Sequence, residues 1–564
     1  MKMTVRNIID AVGGRVAAGS ESNLSRVITH IITDTRLLPT DDNIESAAFL
    51  ALKGENFDGN TFAPAAARLG VGLVICERFE PDNNPSGAID GAGDTAEADP
   101  GTVVVVCGDT LDAYGRIAAA HRLAYRGTVI GVTGSVGKTT TKEFIFRAVS
   151  ALGPASKTKA NFNNEIGVPK TVLDIGGENS AVVEMGMRGR GQIEYLVNIV
   201  RPDVAVITNV GYAHIELLGT LDNTLRAKLE IASKMRSGGI LILNGDDGLL
   251  ADRENVLAIL KESYGVEPEI VYYGTGGNAI VRADNIEAGE NQTGFDLWIR
   301  GNFVSRVTLM MRGRHNVYAA MAAISVACAM NGFFETVTGN DKISGAESFG
   351  AILRSVLPAV SSLRGEDFGR QKVIDAGGVT VIDDCYNAGP ESVKAQLEAL
   401  SMKQPAEGHR RVAVLGDMLE LGDESVRLHR EVAARAMELG IDRLICVGPL
   451  SRNMDAGCFS ALFGYAGDAF GAEDAGDAGD AGYAGHAFGA EDAGDAAVTH
   501  SKGSNGRPDA NCEFFYFDDS AACARRINAL TEPGDVVLVK GSHGMHMEKV
   551  TEALVSRSRN AALT

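Results

Sequence analysis

The chain has 564 residues, 45% hydrophobic and 22% charged, which suits a globular protein of about three domains rather than one core. Its formal net charge of −20 argues against a nucleic-acid partner, and no run of about 18 apolar residues exists to insert in a membrane. The start, Met1-Lys2-Met3-Thr4-Val5-Arg6-Asn7, lacks the apolar centre of a signal peptide, and the eight cysteines include no Cys-x-x-Cys pair, so reduced thiols and a cytoplasmic location are expected.

Residues 1–125 alternate short apolar runs with turn clusters. Runs at 27–33, 48–52, 71–76 and 103–107 read as strands, and Leu111, Tyr114, Ile117 and Ala118 share one face of a helix leading onward. Asp34-Thr35-Arg36 and the polar stretch Lys53-Gly54-Glu55-Asn56-Phe57-Asp58-Gly59-Asn60 lie between strands. Such loops suit hydrogen bonding to a ligand and equally suit ordinary turn chemistry. Residues 82–99 carry five acids and no base, and residues 461–497 carry eight, so much of the net charge sits outside the apolar runs.

A β-branched run at 128–132 breaks into Thr133-Gly134-Ser135-Val136-Gly137-Lys138-Thr139-Thr140, and a helix-period face follows with Phe144, Ile145, Ala148, Val149 and Leu152. Strand, glycine loop and helix N-terminus together form a phosphate cradle, with loop N–H groups turned inward and the helix dipole favouring an anion. Lys138 is placed to reach the terminal phosphates and the Thr139 hydroxyl to hold Mg²⁺. The general motif wants Gly six positions before the Lys, where this chain has Val132. An ordinary βα turn is the plain alternative, but it leaves Gly137-Lys138-Thr139-Thr140-Thr141 unexplained.

Strand–helix alternation continues to about residue 335, predicting a parallel sheet with helices on both faces. Strands at 181–183, 204–207 and 240–243 run into Glu184, Thr208-Asn209 and Asn244-Gly245-Asp246-Asp247, the edge at which open α/β sheets bind ligands. His214, and Lys228 within Ala227-Lys228-Leu229-Glu230, follow. A single His is as readily structural and a helical Lys as readily solvated, so a Glu184–His214 metal pair stays an open alternative.

Residues 336–564 predict a second doubly wound unit, with strands at 379–382, 412–415, 444–447, 514–517 and 536–539. Its polar strand exits are Asp383-Asp384-Cys385-Tyr386-Asn387, Gly416-Asp417-Met418-Leu419-Glu420 and Lys540-Gly541-Ser542-His543-Gly544. AFGAEDAGDA occurs at 469–478 and again at 487–496, a composition that cannot build a core. Residues 459–511 are therefore expected to be a disordered insertion between strands. Calcium-binding repeats would need tandem nonapeptides, which are not found.

With these strings in order, the chain resembles the Mur ligase family of ATP-dependent amide-forming enzymes of cell-wall synthesis. The variant phosphate loop 133–140, Asn161 to Pro169 (NFNNEIGVP), Glu184-Met185-Gly186-Met187, His214, Ala227-Lys228-Leu229-Glu230 and Gly313-Arg314-His315-Asn316 carry the likeness. It implies an α/β fold of three domains. A small mixed α/β domain, residues 1–125, would hold a UDP-sugar; a central P-loop ATPase-like parallel-sheet domain, 126–335, would bind ATP; a Rossmann-like domain, 336–564, would receive a dipeptide.

The implied reaction joins D-alanyl-D-alanine to UDP-N-acetylmuramoyl-tripeptide through an acyl phosphate, forming a C–N bond and releasing ADP and phosphate. The resemblance gives Gly134, Ser135, Val136, Gly137, Lys138, Thr139 and Thr140 to the ATP phosphates, and His315 and Asn316 to adenine. Arg370 and Asp384 would close over the nucleotide. Thr139, Glu184, His214 and a carbamylated Lys228 would hold Mg²⁺, with Lys138, Lys228, His214 and Glu184 as the catalytic set. Thr35, Arg36, Lys53, Asp58, Asn163, Asn164, Tyr386, Asn387 and Asp417 would contact the substrates, in a monomer. Ala319, Asn60, Gly389 and Gln192 depart from residues frequent in the family. A folylpolyglutamate-type ligase or a relative that has lost catalysis are the alternatives; the string from Asp417 to Gly422 opposes the first, and Glu184, His214 and Lys228 oppose the second.

Overall fold

A computed structural model of the chain describes every residue except 39–42, 55–56, 81–100, 236–237, 290, 334–345, 366–371, 456–496, 501–511 and 562–564. Three large sheets succeed one another along it. The first has five strands in the order Arg15–Ala18, Val103–Val106, Leu73–Cys76, Ala47–Leu50, His30–Ile32, parallel except for the outer pair Arg15–Ala18 with Val103–Val106. The run at 27–33 is broken into Val27–Ile28 and His30–Ile32, which join different sheets. Val5–Val12 and Thr110–Ala124 cover one face through Val5, Ile8, Tyr114 and Ile117. Thr110–Ala124 packs onward against Gly167–Asp174 and Gln192–Val200, so the first sheet and the second share one apolar core. Buried Arg122 pins that junction, donating to Val200 O (2.8 Å), Arg201 O (2.9 Å) and Asp203 Oδ2 (3.0 Å).

The second sheet has nine strands, in the order Ala155–Lys157, Ser180–Glu184, Thr128–Thr133, Val204–Ile207, Ile240–Asn244, Glu269–Gly274, Val281–Ala288, Thr293–Ile299, Asn302–Leu309. Pairing is parallel as far as Val281–Ala288 and antiparallel beyond it. The expected parallel sheet is thus extended at one edge by antiparallel strands. These strands alternate buried and half-exposed residues, most regularly in Thr293–Ile299, which is the period of a sheet with one wet face. The Lys138–Ser150 helix buries Phe144, Ile145, Ala148 and Val149 against the sheet and against the alanine-rich helix Arg314–Met330. Full burial of Phe144 and Ile145 contributes about 1.5–3 kcal/mol each.

The third sheet has seven strands, in the order Lys372–Asp375, Thr380–Asp384, Val536–Lys540, Arg411–Gly416, Arg443–Val447, Glu513–Phe517, Ala497–His500. Its inner pairs are parallel and both edges antiparallel. Helices Pro390–Ser401 and Ser425–Glu438 bury one face, and Ser520–Leu530 with Glu548–Ala561 the other. Ala497–His500 corrects the expected insertion. Where Val498 and Thr499 replace the Ala/Gly/Asp composition, the backbone pairs with Glu513–Phe517. The repeats at 469–478 and 487–496 and the acids at 82–99 lie outside the described residues. The seven described cysteines form no disulfide, and no helix among the described residues is long and apolar enough to cross a membrane.

Candidate active site

Carboxyl ends of the second and third sheets face each other across a cavity of about 1290 Å³. On the first wall, Thr128–Thr133 turns through the glycine loop into Lys138–Ser150. Gly134 sits at φ 151, where an added Cβ would overlap Thr208 Oγ1, so only glycine allows that approach. Gly137, at φ 80, is the N-cap and caps nothing with a side chain. The N–H groups of Ser135 and Val136 donate to Asn209 (O at 3.1 Å, Oδ1 at 3.0 Å), which corrects the picture of every loop N–H turned inward. The first i→i−4 bond of the helix starts at Thr141, so the N–H groups of Thr139 and Thr140 precede the ladder and open on the cavity-lining turn. Lys138 folds back, donating from Nζ to Gly134 O at 2.7 Å and Ser135 O at 3.3 Å.

Glu184 ends its strand only 2% exposed. Thr139 Oγ1 donates to both of its oxygens, at 3.0 and 3.2 Å, and Asn163 Nδ2 donates to Oε1 at 2.9 Å. Lys142 Nζ stands 3.6 Å from Oε2. Asn164 lines the cavity too, although its Oδ1 accepts the Gly167 N–H at 2.9 Å.

His214 lines the same cavity, and its Nδ1 is hydrogen-bonded to Glu420, in the loop after the third-sheet strand Arg411–Gly416. Burial holds its imidazole below the ordinary range, although Glu420 pulls the other way. No three His, Cys, Asp or Glu side chains converge as a metal cage among the described residues. Glu184 and His214 both line the cavity, His214 with its Nδ1 engaged by Glu420. Lys228 lies behind the lining, 2% exposed; burial pushes its amine well below the usual lysine range, with Lys138 adding to the shift and Glu391 and Asp247 opposing it. Glu230 is structural: its carboxylate accepts the N–H groups of Gly191 (2.7 Å) and Glu194 (3.0 Å), capping the Gln192–Val200 helix.

His315 and Asn316 open the Arg314–Met330 helix onto the cavity. Asn316 donates to Arg312 O at 2.7 Å and keeps a buried Oδ1 without a hydrogen-bond partner. Across from them, Lys540, 3% exposed, donates at 2.7 Å both to Asp384 Oδ2 and to Asn387 O, fixing the turn that presents Tyr386. Glu391, at the start of Pro390–Ser401, reaches back to accept the Tyr212 N–H at 3.0 Å.

Several expected residues fall elsewhere. Asp417 is buried, its carboxylate taken by the N–H groups of Ser451 (2.7 Å) and Leu450 (3.2 Å); its neighbours Leu419 and Glu420 line the cavity instead. Arg370 lies outside the described residues. Thr35, Arg36, Lys53 and Asp58 do not reach the cavity. Arg36 pairs with Asp34 at 2.6 Å, and Asp58 holds Arg78 at 2.6 Å and Asn60 Nδ2 at 2.7 Å. Sequence reasoning passes over Lys142 and Glu391, and places Lys540 only within a polar strand exit. Lys142 had a readable signal, since four residues past Lys138 on a helix is the same face.

Residues 132–327 match the Mur ligase middle domain, and residues 369–543 the Mur ligase glutamate ligase domain. The UDP-N-acetylmuramoyl-tripeptide–D-alanyl-D-alanine ligase of Bacillus subtilis is 34% identical over 454 residues, covering 80% of this chain and 86% of its own. The enzyme of that name from Synechocystis is 37% identical over 432 residues, covering 75% and 81%. Among solved structures, that of MurF from Acinetobacter baumannii aligns at a TM-score of 0.73 with 26% identity, covering 99% of both chains.

Proposed function

The chain belongs to the Mur ligase family and is an ATP-dependent ligase joining D-alanyl-D-alanine to UDP-N-acetylmuramoyl-tripeptide in peptidoglycan synthesis; we propose that it does so through an acyl phosphate formed in the cavity between the second and third sheets. The terminal carboxylate of the tripeptide attacks the γ-phosphorus of ATP, and ADP leaves. The dipeptide amine then attacks the acyl carbon and phosphate departs. Both steps bring anions together, so the site must supply positive charge where negative charge builds.

Lys138 swings from the loop carbonyls to the transferring phosphoryl group, and the first-turn N–H groups of Thr139 and Thr140 cradle the phosphates. Asn316 Oδ1, buried and unpaired, is a ready acceptor for the exocyclic amine of adenine, with His315 beside it. Asp384, aimed by Lys540, faces His315, whose imidazole burial depresses and Asp384 draws upward.

Mg²⁺ fits the donor set: a hydroxyl and a carboxylate already in contact, both hard oxygens, in a site that phosphate oxygens would complete. Thr139 and Glu184 would hold it, with His214, whose Nδ1 is the nitrogen that Glu420 engages, as a further ligand through Nε2. When bound, the ion neutralises phosphate charge. Lys228, whose amine burial holds well below the usual lysine range, is the group that would take up CO₂ as a carbamate and so add an oxygen ligand. Tyr386 and Asn387 face the dipeptide.

The residue boundaries 1–125, 126–335 and 336–564 are proposed as the sugar-nucleotide, ATP and dipeptide units of a cytoplasmic monomer. The first unit, with Thr35, Arg36, Lys53 and Asp58, would hold the UDP end, away from the chemistry. The observation that carries this reading is the single cavity with Thr139 against Glu184 on one wall and Lys540 against Asp384 on the other. The test is the product: incubation with ATP, Mg²⁺ and both substrates should yield UDP-N-acetylmuramoyl-pentapeptide by mass spectrometry. Recovery of unchanged tripeptide would overturn it.

A further inference from the structure

We propose that Lys142 is a positioning residue for the ligation site, its buried ammonium aiming the Glu184 carboxylate at Thr139 before any nucleotide arrives. The inference rests on the reading of Glu184 and Thr139 as the Mg²⁺ side of that site.

Lys142 is 1% exposed, inside the protein rather than on a solvated helix face. An isolated ammonium there would cost several kcal/mol, so its surroundings must compensate. Two carboxylates do so: Glu143 Oε1 at 3.4 Å and Glu184 Oε2 at 3.6 Å. Glu143 is paired in turn with Lys157, whose side chain is 29% exposed. Charges therefore alternate from the surface inward, Lys157, Glu143, Lys142, Glu184, and the row ends on the Thr139 hydroxyl.

Helical spacing brings this about. Thr139 and Lys142 are three apart and Lys138 and Lys142 four apart, so they share one face. A single helix start thus supplies the phosphate-side lysine, the metal-side hydroxyl and the counter-cation behind the metal-side carboxylate. At 3.6 Å the Lys142–Glu184 contact is longer than a hydrogen bond. It acts as a fixed charge, leaving the lone pairs of Glu184 to Thr139, Asn163 and an incoming ion. Without Lys142, the Glu143 and Glu184 carboxylates would lose the cation between them, and the like-charge repulsion left would push Glu184 off its line to Thr139. Outer partners of metal-ligating carboxylates fix orientation in this way and are worth about 10–100-fold in metal affinity.

The test measures ADP binding by the full chain in a calorimetric titration at a series of Mg²⁺ concentrations, which reads ligand binding rather than turnover. For Lys142→Met, the Mg²⁺ concentration that gives half-maximal tightening should rise about tenfold, with metal-free ADP affinity unchanged. For Lys157→Met, whose part-exposed side chain can be removed without disturbing the core, the rise should be about twofold. If Lys142→Met does not fold, Lys157→Met carries the test. An unchanged or lowered Mg²⁺ requirement overturns the proposal, since a purely structural ion pair would lower the melting temperature and leave that requirement alone. Glu184→Gln separates the two levels. If it too keeps the wild-type Mg²⁺ dependence, the metal reading fails; if it alone shifts, only the role of Lys142 fails.

Discussion

His214 and Glu420, 206 positions apart, are hydrogen-bonded side chain to side chain, and both hold left-handed backbone, at φ 61 and φ 62. Left-handed geometry costs a residue with a Cβ about 1–2 kcal/mol. The second and third sheets thus meet through two strained residues that support each other. Glu216 N donates to Glu420 O at 3.2 Å beside them. Replacing Glu420 removes the side-chain bond in every case, but Glu420→Gly also relieves the backbone. Glu420→Ala should therefore be the less stable variant, by about 1 kcal/mol in chemical denaturation. A glycine variant less stable than the alanine one would show that the turn carries no strain.

Lys138→Ala should abolish turnover, by about a thousandfold or more, because charge stabilisation of phosphoryl transfer has no substitute in the loop. The side chain is tied to Gly134 O and Ser135 O, so a small loss of thermal stability should accompany it. ADP release in a coupled assay reads the first effect. Turnover within tenfold of wild type would mean that the loop does not hold the transferring phosphate.

His429 supplies a pH dependence. Its Nε2 accepts the Met418 N–H at 3.1 Å and its Nδ1 donates to Ser425 O at 2.7 Å, so the folded protein holds the neutral ring. Burial lowers its pKa below 6.5, against smaller upward pulls from Ser425 and Asp417. The unfolded chain therefore binds the proton more readily. The stability contributed by this site is complete above pH 6.5 and is lost as pH falls below it. Melting curves between pH 8 and 5 should fall less steeply for His429→Gln than for wild type. Equal slopes would show that His429 is not neutral in the fold.

The insertion has a definite end. Deleting residues 461–496 should leave activity within about twofold, because their Ala/Gly/Asp composition supplies no core. Deleting through residue 511 removes Ala497–His500, the antiparallel edge partner of Glu513–Phe517, and should lower the melting temperature further. Equal stability of the two deletions would make the edge strand dispensable.

What was legible in the chain followed local period. Thr128–Thr133, the glycine loop and the buried face of Lys138–Ser150 were readable because strand, turn and helix signals agree there. The parallel strands of the third sheet were readable as apolar runs with polar exits. The three antiparallel strands from Val281 to Leu309 were not, since their alternation of half-exposed residues resembles polar loop composition. At the site, a motif locates a backbone but not a side chain's partner. Asp417 stands beside the cavity in sequence and is spent on Ser451 and Leu450; His214 belongs to Glu420 through a contact that no local pattern encodes. Lys540 acts between neighbouring strands of the third sheet, and Glu391 reaches Tyr212 only once the third sheet is folded against the second.

The most direct measurement is phosphate release from ATP by the purified full-length chain, with each substrate supplied alone and both together. Sustained release that requires UDP-N-acetylmuramoyl-tripeptide and D-alanyl-D-alanine together is the predicted result. Sustained release with glutamate and a folate in their place, or with the tripeptide alone, would contradict it.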